Sequence, residues 1–115
     1  MDVYGLKNCD TCRKALKWLA DEGIVHRFRD IRQDNPGQKV IAGWAASAGW
    51  ENLLNRRGTT WRGLPDADRE GVDEASAVSL MAQHPALMKR PVFVHSKGVS
   101  VGFNEDAKPA LIQAQ

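Results

Sequence analysis

Over the first thirty or so residues, the pattern of residue types changes from strand-like to helix-like and back to strand-like. This alternation constrains the fold more than any other feature of the sequence. Residues 2–5 (DVYG) predict a short strand, and a helix follows from near Asp10 or Thr11 with its apolar residues on one face. Gly23 stands where a glycine often ends a helix, and residues 25–31 (VHRFRDI) predict a second strand. A strand, a helix and a strand in about thirty residues form a βαβ unit, which requires parallel pairing and a right-handed crossover.

Helical patterns fill the middle of the chain. Residues 40–48 carry apolar side chains at helical spacing and end before Gly49, and residues 73–84 carry a second such stripe that ends at Pro85. Between them, the segment WENLLNRRGTTWRGLP predicts a short helical turn followed by a polar loop. The residues that define the first stripe are Val40, Ile41, Trp44 and Ala48.

The C-terminal part of the chain predicts a hairpin and a helix. The segments VFVH and VSVGF are two strands joined by the turn SKG. Asn104 is a suitable cap for a last helix, in which Pro109 predicts either a kink or a later start.

When the helical segment of residues of about 33–88 is left out, the remaining elements follow the order βαβ, ββ, α, which is that of a thioredoxin-like domain. We therefore predict a single α/β domain over residues 1–115. In this prediction residues 1–32 and 89–115 build a thioredoxin-like mixed sheet with its helices, and residues of about 33–88 are an all-helical insertion.

The composition is that of a folded globular chain, with 43% apolar and 26% charged residues among 115. The sequence shows no signal peptide and no apolar run of the roughly 18 residues that span a bilayer, so we expect a cytoplasmic protein that does not bind membranes. The formal net charge of +2 does not indicate nucleic acid binding. The basic residues are clustered, however, and favour a local anion site; the clusters are Arg56, Arg57 and Arg62, and Lys89 and Arg90.

Both cysteines of the chain lie where the first strand gives way to the first helix, in the segment KNCDTC. Cys9 precedes the helix, where backbone N–H groups and the helix dipole stabilise a thiolate and lower the thiol pKa. The basic residues Lys7, Arg13 and Lys14 act in the same direction. Cys12 lies a turn further on, on the apolar face. We therefore predict an exposed attacking thiol at Cys9 and a shielded resolving thiol at Cys12.

A C-x-x-C pair in this context favours redox or nucleophilic chemistry, and a zinc site fits the sequence poorly. Two cysteines supply only two zinc ligands, and His26, His84 and His95 lack finger-like spacing to them. We therefore expect no bound metal and expect the histidines to be ordinary surface or partly buried residues.

Four segments, in this order, resemble the arsenate reductase (ArsC) family: YGLKNCDTCRKALKWL, LLNRRGTTWRGL, ALMKRPVFV and VGFNEDA. They are most similar to the YffB branch of that family, and the resemblance covers residues 3–107. The family fold is a thioredoxin-like sheet with a helical insertion, which agrees with the element order above.

The resemblance implies roles for individual residues. Cys9 matches the catalytic cysteine, and Arg56 and Arg90 match two oxyanion-binding arginines. Pro91 matches a proline that follows a cis peptide bond. The residues expected to support this site are Asn8, Arg13 and Pro91.

The activity that the resemblance implies is a glutathione-dependent thiol reductase. Glutathione is the expected co-substrate, glutaredoxin a further expected partner, and the substrate a small disulfide or an arsenate-like oxyanion. No bound cofactor is expected.

Two departures from the family pattern leave alternatives open. Phe103 stands where arsenate reductases of this family have a third arginine, which weighs against arsenate as the substrate. Cys12 resembles instead the Spx regulators, which use a C-x-x-C pair as a thiol–disulfide switch and bind RNA polymerase. A redox-switched regulator is therefore the alternative to the enzyme.

Overall fold

A computed structural model describes residues 1–114 of the chain, which fold into two compact units. The first unit comprises Met1–Asp34 together with the chain from Arg90 onward, and the second comprises Asn35–Lys89. The limits predicted for the helical insertion, 33 and 88, lie next to those of the second unit.

The first unit is built on a four-stranded mixed sheet with the strand order β2-β1-β3-β4. Strand β1 (Asp2–Gly5) pairs in parallel with β2 (Arg27–Asp30), and helix α1 (Asp10–Asp21) connects them, as the predicted βαβ unit requires. Strand β3 (Val92–His95) is antiparallel both to β1 and to β4 (Gly98–Val101), which confirms the predicted hairpin.

The register of these strands brings three chain segments to one edge of the sheet. Gly5 at the end of β1 lies opposite Asp30 at the end of β2, and Tyr4 lies opposite Val92 at the start of β3. Because β1 and β2 are parallel and β3 runs the other way, the segments after β1 and β2 and the segment before β3 meet at this edge.

Helix α1 has the limits and the buried face that its apolar stripe predicts. It begins at Asp10, and Gly23 follows its end in the left-handed conformation (φ 69°). Its buried residues, Cys12, Ala15 and Leu19, face the sheet. The hydrophobic core of this unit consists of Val3, Ala15, Leu19, Ile24, Phe93 and Leu111.

Two predictions for the first unit are corrected at their ends. Strand β2 is shorter than the predicted 25–31, and Val25 before it is 88% exposed. The last helix, α7 (Lys108–Gln113), has the later start that Pro109 allows, with this proline in its first turn. Asn104 Oδ1 instead accepts the N–H of Ala107 at 3.0 Å, which closes a turn before the helix.

The second unit consists of helices and the loops that join them, with an isolated β-bridge between Leu54 and Met88. Ile41 and Trp44 are buried as predicted, but Val40 is 43% exposed, and Ala45 takes its place on the buried face. The predicted polar loop contains one short helix, and a second short helix follows directly after Pro65. The elements of this unit are α2 (Gln38–Ala48), α3 (Trp50–Leu53), α4 (Thr59–Arg62), α5 (Asp66–Arg69), α6 (Glu74–Gln83) and a 3-10 turn at Pro85–Leu87. Within residues 1–114, no helix has the length and apolarity that crossing a bilayer requires.

Gly5 allows α1 to approach the sheet closely. A Cβ atom built on Gly5 would lie 2.5 Å from Cys12 Sγ and 3.5 Å from Phe28. Since Cys12 is only 1% exposed, its sulfur has no free space to move into. The absence of a side chain at residue 5 is therefore a packing requirement of the cysteine at residue 12.

Substitution of Gly5 by Ala should reduce the free energy of unfolding by about 1–3 kcal/mol, because the added methyl group overlaps a buried sulfur. In a Cys12→Ala background the same substitution should cost clearly less, since the sulfur is absent. Denaturant unfolding of the four proteins in this double-mutant cycle measures the coupling.

The matched control is Gly43→Ala in α2, where a Cβ atom would meet no atom within 4 Å apart from the neighbouring residues and backbone of its own helix. Alanine favours a helix over glycine by up to about 1 kcal/mol, so this variant should be as stable as the parent or more stable. Equal losses from Gly5→Ala with and without the Cys12 sulfur would contradict the packing account.

Candidate active site

Cys9 is the N-cap residue of α1, with extended backbone angles (φ −95°, ψ 120°) and a half-buried side chain. Its N–H donates to the Leu6 carbonyl at 3.2 Å, and its own carbonyl accepts the N–H of Arg13 at 3.0 Å. The first turn of the helix thus fixes the backbone of Cys9 and turns its sulfur toward the free N–H groups of that turn.

The pKa of the Cys9 thiol lies below its ordinary value. Partial burial raises this pKa, but attraction of the thiolate to four donor groups outweighs the burial. These donors are the N–H and the thiol of Cys12, the N–H of Thr11 and the guanidinium of Arg90. The backbone N–H groups of the first turn make no capping hydrogen bond to the Cys9 side chain, so these two N–H groups act chiefly as dipoles directed at the sulfur.

The pKa of the Cys12 thiol is shifted in the opposite direction, to about 11. Burial is the main cause, and the neighbouring Cys9 thiolate adds to it both by accepting the Cys12 proton in a hydrogen bond and by its charge. Interaction with the Leu6 backbone and the charge of Arg90 oppose the shift. Near neutral pH, Cys12 therefore keeps its proton and donates it toward Cys9.

Arg90 reaches this sulfur from the sheet rather than from the helix. The peptide bond between Arg90 and Pro91 is cis, as the family resemblance implies, and the Pro91 carbonyl accepts the N–H of Gly102 at 2.8 Å. Arg90 lies shortly before β3, at the sheet edge where β1 and β2 end. The cation that lowers the pKa of Cys9 is thus far from it in sequence.

A cleft of about 380 Å³ opens beside Cys9 and includes two residues that the sequence did not single out, Asp30 and Arg32. Asp30 Oδ1 accepts the N–H groups of Arg32 and Gln33 at 2.8 and 3.4 Å, which fixes the turn after β2. Their position at the carboxyl end of a parallel strand is the signal that could have found them. The cleft is lined by Leu6, Lys7, Asn8, Cys9, Asp30, Arg32 and Arg90.

Of the residues predicted to support the site, Asn8 lines this cleft, whereas Arg13 has a different task. Arg13 Nε donates to the Lys7 carbonyl at 3.1 Å, and its guanidinium lies 3.7 Å from the Asp10 carboxylate. Arg13 therefore stabilises the loop that carries Cys9, and it is Arg90 that contributes to the lowered pKa.

Arg56 belongs to the helical unit, where it lies among aromatic rings. Its guanidinium carbon is 5.3 Å from the centre of the Trp50 ring and 5.9 Å from that of Trp61, within the range of cation–π attraction. It also lines a cleft of about 310 Å³ with Arg57 and Lys89. The role of Arg56 as an anion ligand for the cysteine chemistry stays a prediction.

Phe103 has a structural role in the first unit. Its ring packs against those of Trp18 and Phe93, with centroids 5.7 and 6.4 Å away, and it borders the hydrophobic core. It does not line the cleft beside Cys9.

Two of the histidines show local structural contacts. His26 Nδ1 lies 2.8 Å from the Ile24 carbonyl, and His95 Nε2 lies 2.8 Å from the Ser100 hydroxyl. Within residues 1–114, no three or more His, Cys, Asp and Glu side chains are grouped as metal ligands would be.

Comparison with known proteins identifies relatives both by sequence and by structure. A family model described as the ArsC family matches residues 4–111. An uncharacterized protein of Haemophilus influenzae is 43% identical over 103 residues, which cover 90% of each chain. The global transcriptional regulator Spx of Streptococcus mutans is 26% identical over 109 residues, covering 91% of this chain and 77% of the regulator.

Solved structures extend these likenesses to the fold. The YffB protein superimposes with a TM-score of 0.88 at 38% identity, with 96% of each chain covered. A protein of Brucella melitensis related to arsenate reductase (ArsC) gives a TM-score of 0.76 at 40% identity, covering 97% of this chain and 93% of its own. These matches confirm the predicted α/β fold with its thioredoxin-like sheet.

The opposite pKa shifts predict that the two thiols react at different pH. Alkylation by iodoacetamide should modify Cys9 first, with a midpoint below the ordinary thiol pKa, whereas Cys12 should stay unmodified until the protein is made strongly alkaline or unfolded. Peptide mapping by mass spectrometry across a pH series measures both. Faster alkylation of Cys12 than of Cys9 in the folded protein would contradict the assignment.

Replacement of Arg90 by Gln should move the midpoint of Cys9 alkylation to higher pH, because the thiolate loses a cation that stabilises it. Lys97→Gln is the matched control, since Lys97 is an exposed cation in the β3–β4 turn, at the other end of β3. Identical pH profiles for Arg90→Gln and Lys97→Gln would show that Arg90 does not act on the thiol.

Proposed function

The chain belongs to the ArsC family, and we propose from this premise that it is a thiol oxidoreductase in which Cys9 is the nucleophile. The observation that carries the proposal is the opposite shift of the two thiol pKa values, lowered at Cys9 and raised to about 11 at Cys12. A thiolate is the reactive form of cysteine, so this difference selects one attacking sulfur and keeps a proton on the other.

In the first step of the proposed reaction, the Cys9 thiolate attacks one sulfur of a disulfide substrate. A bond forms between Cys9 Sγ and that sulfur, the substrate S–S bond breaks, and the second substrate sulfur leaves as a thiolate with the bonding electron pair. Cys9 is then held in a mixed disulfide, and the released half of the substrate is reduced.

The mixed disulfide is resolved by a second thiol, and two thiols can fill this role. Attack by Cys12 on Cys9 Sγ would form a Cys9–Cys12 disulfide and release the bound substrate half as a thiolate. Attack by glutathione on the substrate sulfur would instead form a disulfide between glutathione and that half and release the free Cys9 thiolate. Once Cys9 carries the substrate, its negative charge is gone, and with it two of the causes that raise the pKa of Cys12. Formation of the adduct thus lowers the pKa of Cys12, so a larger fraction of it is thiolate at the step in which it attacks.

Glutathione as the reductant and the cytoplasm as the compartment are parts of the same proposal. The cytoplasm keeps thiols reduced and supplies glutathione, and it favours a C-x-x-C pair with a redox role over a structural disulfide. Arg90, beside Cys9, and Arg56, by the family resemblance, would bind carboxylates of glutathione, and glutaredoxin would return the protein to its reduced form.

We propose a disulfide rather than arsenate as the substrate. Arsenate reductases of this family use a third arginine where this chain has Phe103, and here the Phe103 ring packs with Trp18 and Phe93. Arsenate turnover that depends on Cys9, at a rate equal to that with disulfides, would overturn this preference.

Thiol trapping tests the proposed role of each cysteine. After treatment with glutathione disulfide, the Cys9→Ser variant should carry no adduct, and the Cys12→Ser variant should accumulate glutathione on Cys9. The parent protein should yield either an internal disulfide or free Cys9, depending on which thiol resolves the adduct. Mass spectrometry of the alkylated protein distinguishes these products.

The control for folding is circular dichroism of each variant, since a serine at position 9 or 12 leaves the volume nearly unchanged. A folded parent protein that neither forms a glutathione adduct nor shows disulfide reduction dependent on Cys9 would overturn the proposed function.

A redox-switched regulator of the Spx type is the second candidate, and the closeness of Cys12 to Cys9 favours it. A Cys9–Cys12 disulfide would alter the first turn of α1, and so the surface around it. The expected partner is RNA polymerase. Capture of purified polymerase by the oxidised parent, but not by the reduced parent or by Cys12→Ser, would support this candidate over the enzyme.

A further inference from the structure

The cleft beside Cys9 holds more positive charge than the thiolate needs. Arg90 is the cation that contributes to the lowered pKa of Cys9, yet Lys7 and Arg32 also line the cleft. Against these three cations stand the Asp30 carboxylate and the Cys9 thiolate. The cleft therefore keeps a net positive charge even when its nucleophile is ionised.

Arg32 lies in a turn after β2 whose backbone is held by several hydrogen bonds. Asp30 Oδ1 accepts the Arg32 N–H at 2.8 Å and the Gln33 N–H at 3.4 Å, so the backbone of the turn after β2 is fixed. The same turn continues with the hydrogen bond from the Asp34 N–H to the Asp30 carbonyl at 2.8 Å. The turn holds the backbone of Arg32, and the exposed residue lines the cleft.

Neither Lys7 nor Arg32 is engaged by acidic groups of the protein. Among residues 1–114, Arg13, Lys17, Arg27 and Arg29 of the same unit each lie near a carboxylate, whereas the side chains of Lys7 and Arg32 have no ion pair or hydrogen bond. Both are exposed and able to bind a ligand without breaking a contact of the fold.

We propose that Arg32, together with Lys7 in the same cleft, binds a carboxylate of the substrate, so that the substrates of Cys9 are disulfides with a carboxylate near the sulfur. This inference rests on the proposed function and adds the substrate class to it. Guanidinium and carboxylate groups form paired, parallel hydrogen bonds, which orient a substrate as well as attract it.

Arg32 lines the same cleft as Cys9, which is how it would influence the choice of substrate. The cleft adjoins the sulfur that attacks, so a carboxylate held by Arg32 would place the nearby substrate sulfur against Cys9 for the displacement described above. The step itself is unchanged: the Cys9–substrate bond forms, the substrate S–S bond breaks and its second sulfur leaves as a thiolate. Arg32 is thus a specificity residue, and a glutathione half, which carries carboxylates, belongs to the class it would select.

Two chromogenic disulfides test this inference, because one carries carboxylates and the other has none. Dithiobis(nitrobenzoate) is the anionic probe and dithiodipyridine the neutral one, and both release a coloured thiol when Cys9 attacks. The leaving groups differ, so the informative quantity is the ratio of the two rate constants in each variant divided by that ratio in the parent. Stopped-flow absorbance at low ionic strength measures it, in a Cys12→Ser background that prevents the internal disulfide.

Arg32→Gln should lower the relative rate with the anionic probe by about threefold to tenfold and leave the neutral probe nearly unaffected, since one of three nearby cations is lost. Arg32→Lys should retain most of the preference. Raising the salt concentration should shrink the difference between the parent and Arg32→Gln, because salt screens the charge. Lys97→Gln, which removes an exposed cation from the β3–β4 turn, should leave the ratio unchanged.

The outcomes separate this inference from the proposed function. Equal ratios in Arg32→Gln, Lys97→Gln and the parent would overturn the role of Arg32 while Cys9 remains the nucleophile. A loss of rate with both probes alike would likewise overturn it, because Arg32 would then act on the thiol rather than on the substrate. A Cys9 that reacts with neither probe would overturn the proposed function, and the inference with it.

Discussion

The contact of Cys12 with Gly5 is the packing constraint on which the site depends. A glycine in the central strand β1 lets α1 come so close that even a methyl group at residue 5 would lie 2.5 Å from Cys12 Sγ. This approach removes Cys12 from solvent, burial raises its pKa to about 11, and the retained proton is directed at Cys9. The burial of Cys12 is therefore one of the causes of the lowered pKa of Cys9, beside the N–H groups of the first turn and Arg90.

The second determinant is the direction of the strands. Because β1 is parallel to β2 and antiparallel to β3, three segments distant in sequence meet at one edge of the sheet. They bring Arg90 to the thiolate and Arg32 to the adjoining cleft. Ligand sites commonly lie at the carboxyl ends of parallel strands for this reason, since the turns there are free to carry polar side chains without disturbing the ladder. The helix positions the Cys9 thiol, and the segments at the edge of the sheet supply the charges around it.

How much of this could be predicted from the sequence depends on the range of the interactions. The limits of α1 and the unequal burial of the two cysteines follow from local periodicity, which the sequence displays directly. The four-residue helices α4 and α5 have no such signal, because one turn is too short to show a period. The relevance of Arg32 depends on where β2 ends, and a strand predicted through residue 31 conceals it. Nearness in sequence suggests an electrostatic role for Arg13, whereas its side chain turns to the Lys7 carbonyl and Asp10.

The coupling between the two thiols also relates the two candidate functions to each other. In the reduced protein the Cys9 thiolate raises the pKa of Cys12 by its charge and by accepting its proton. Any group that joins Cys9 covalently removes both effects at once, so Cys12 becomes more acidic only after Cys9 has reacted. An enzyme can use this change to release its product, and a regulator can use it to form an internal disulfide only after an oxidant has been encountered. The two proposed functions would then differ in how quickly an external thiol reopens a Cys9–Cys12 disulfide.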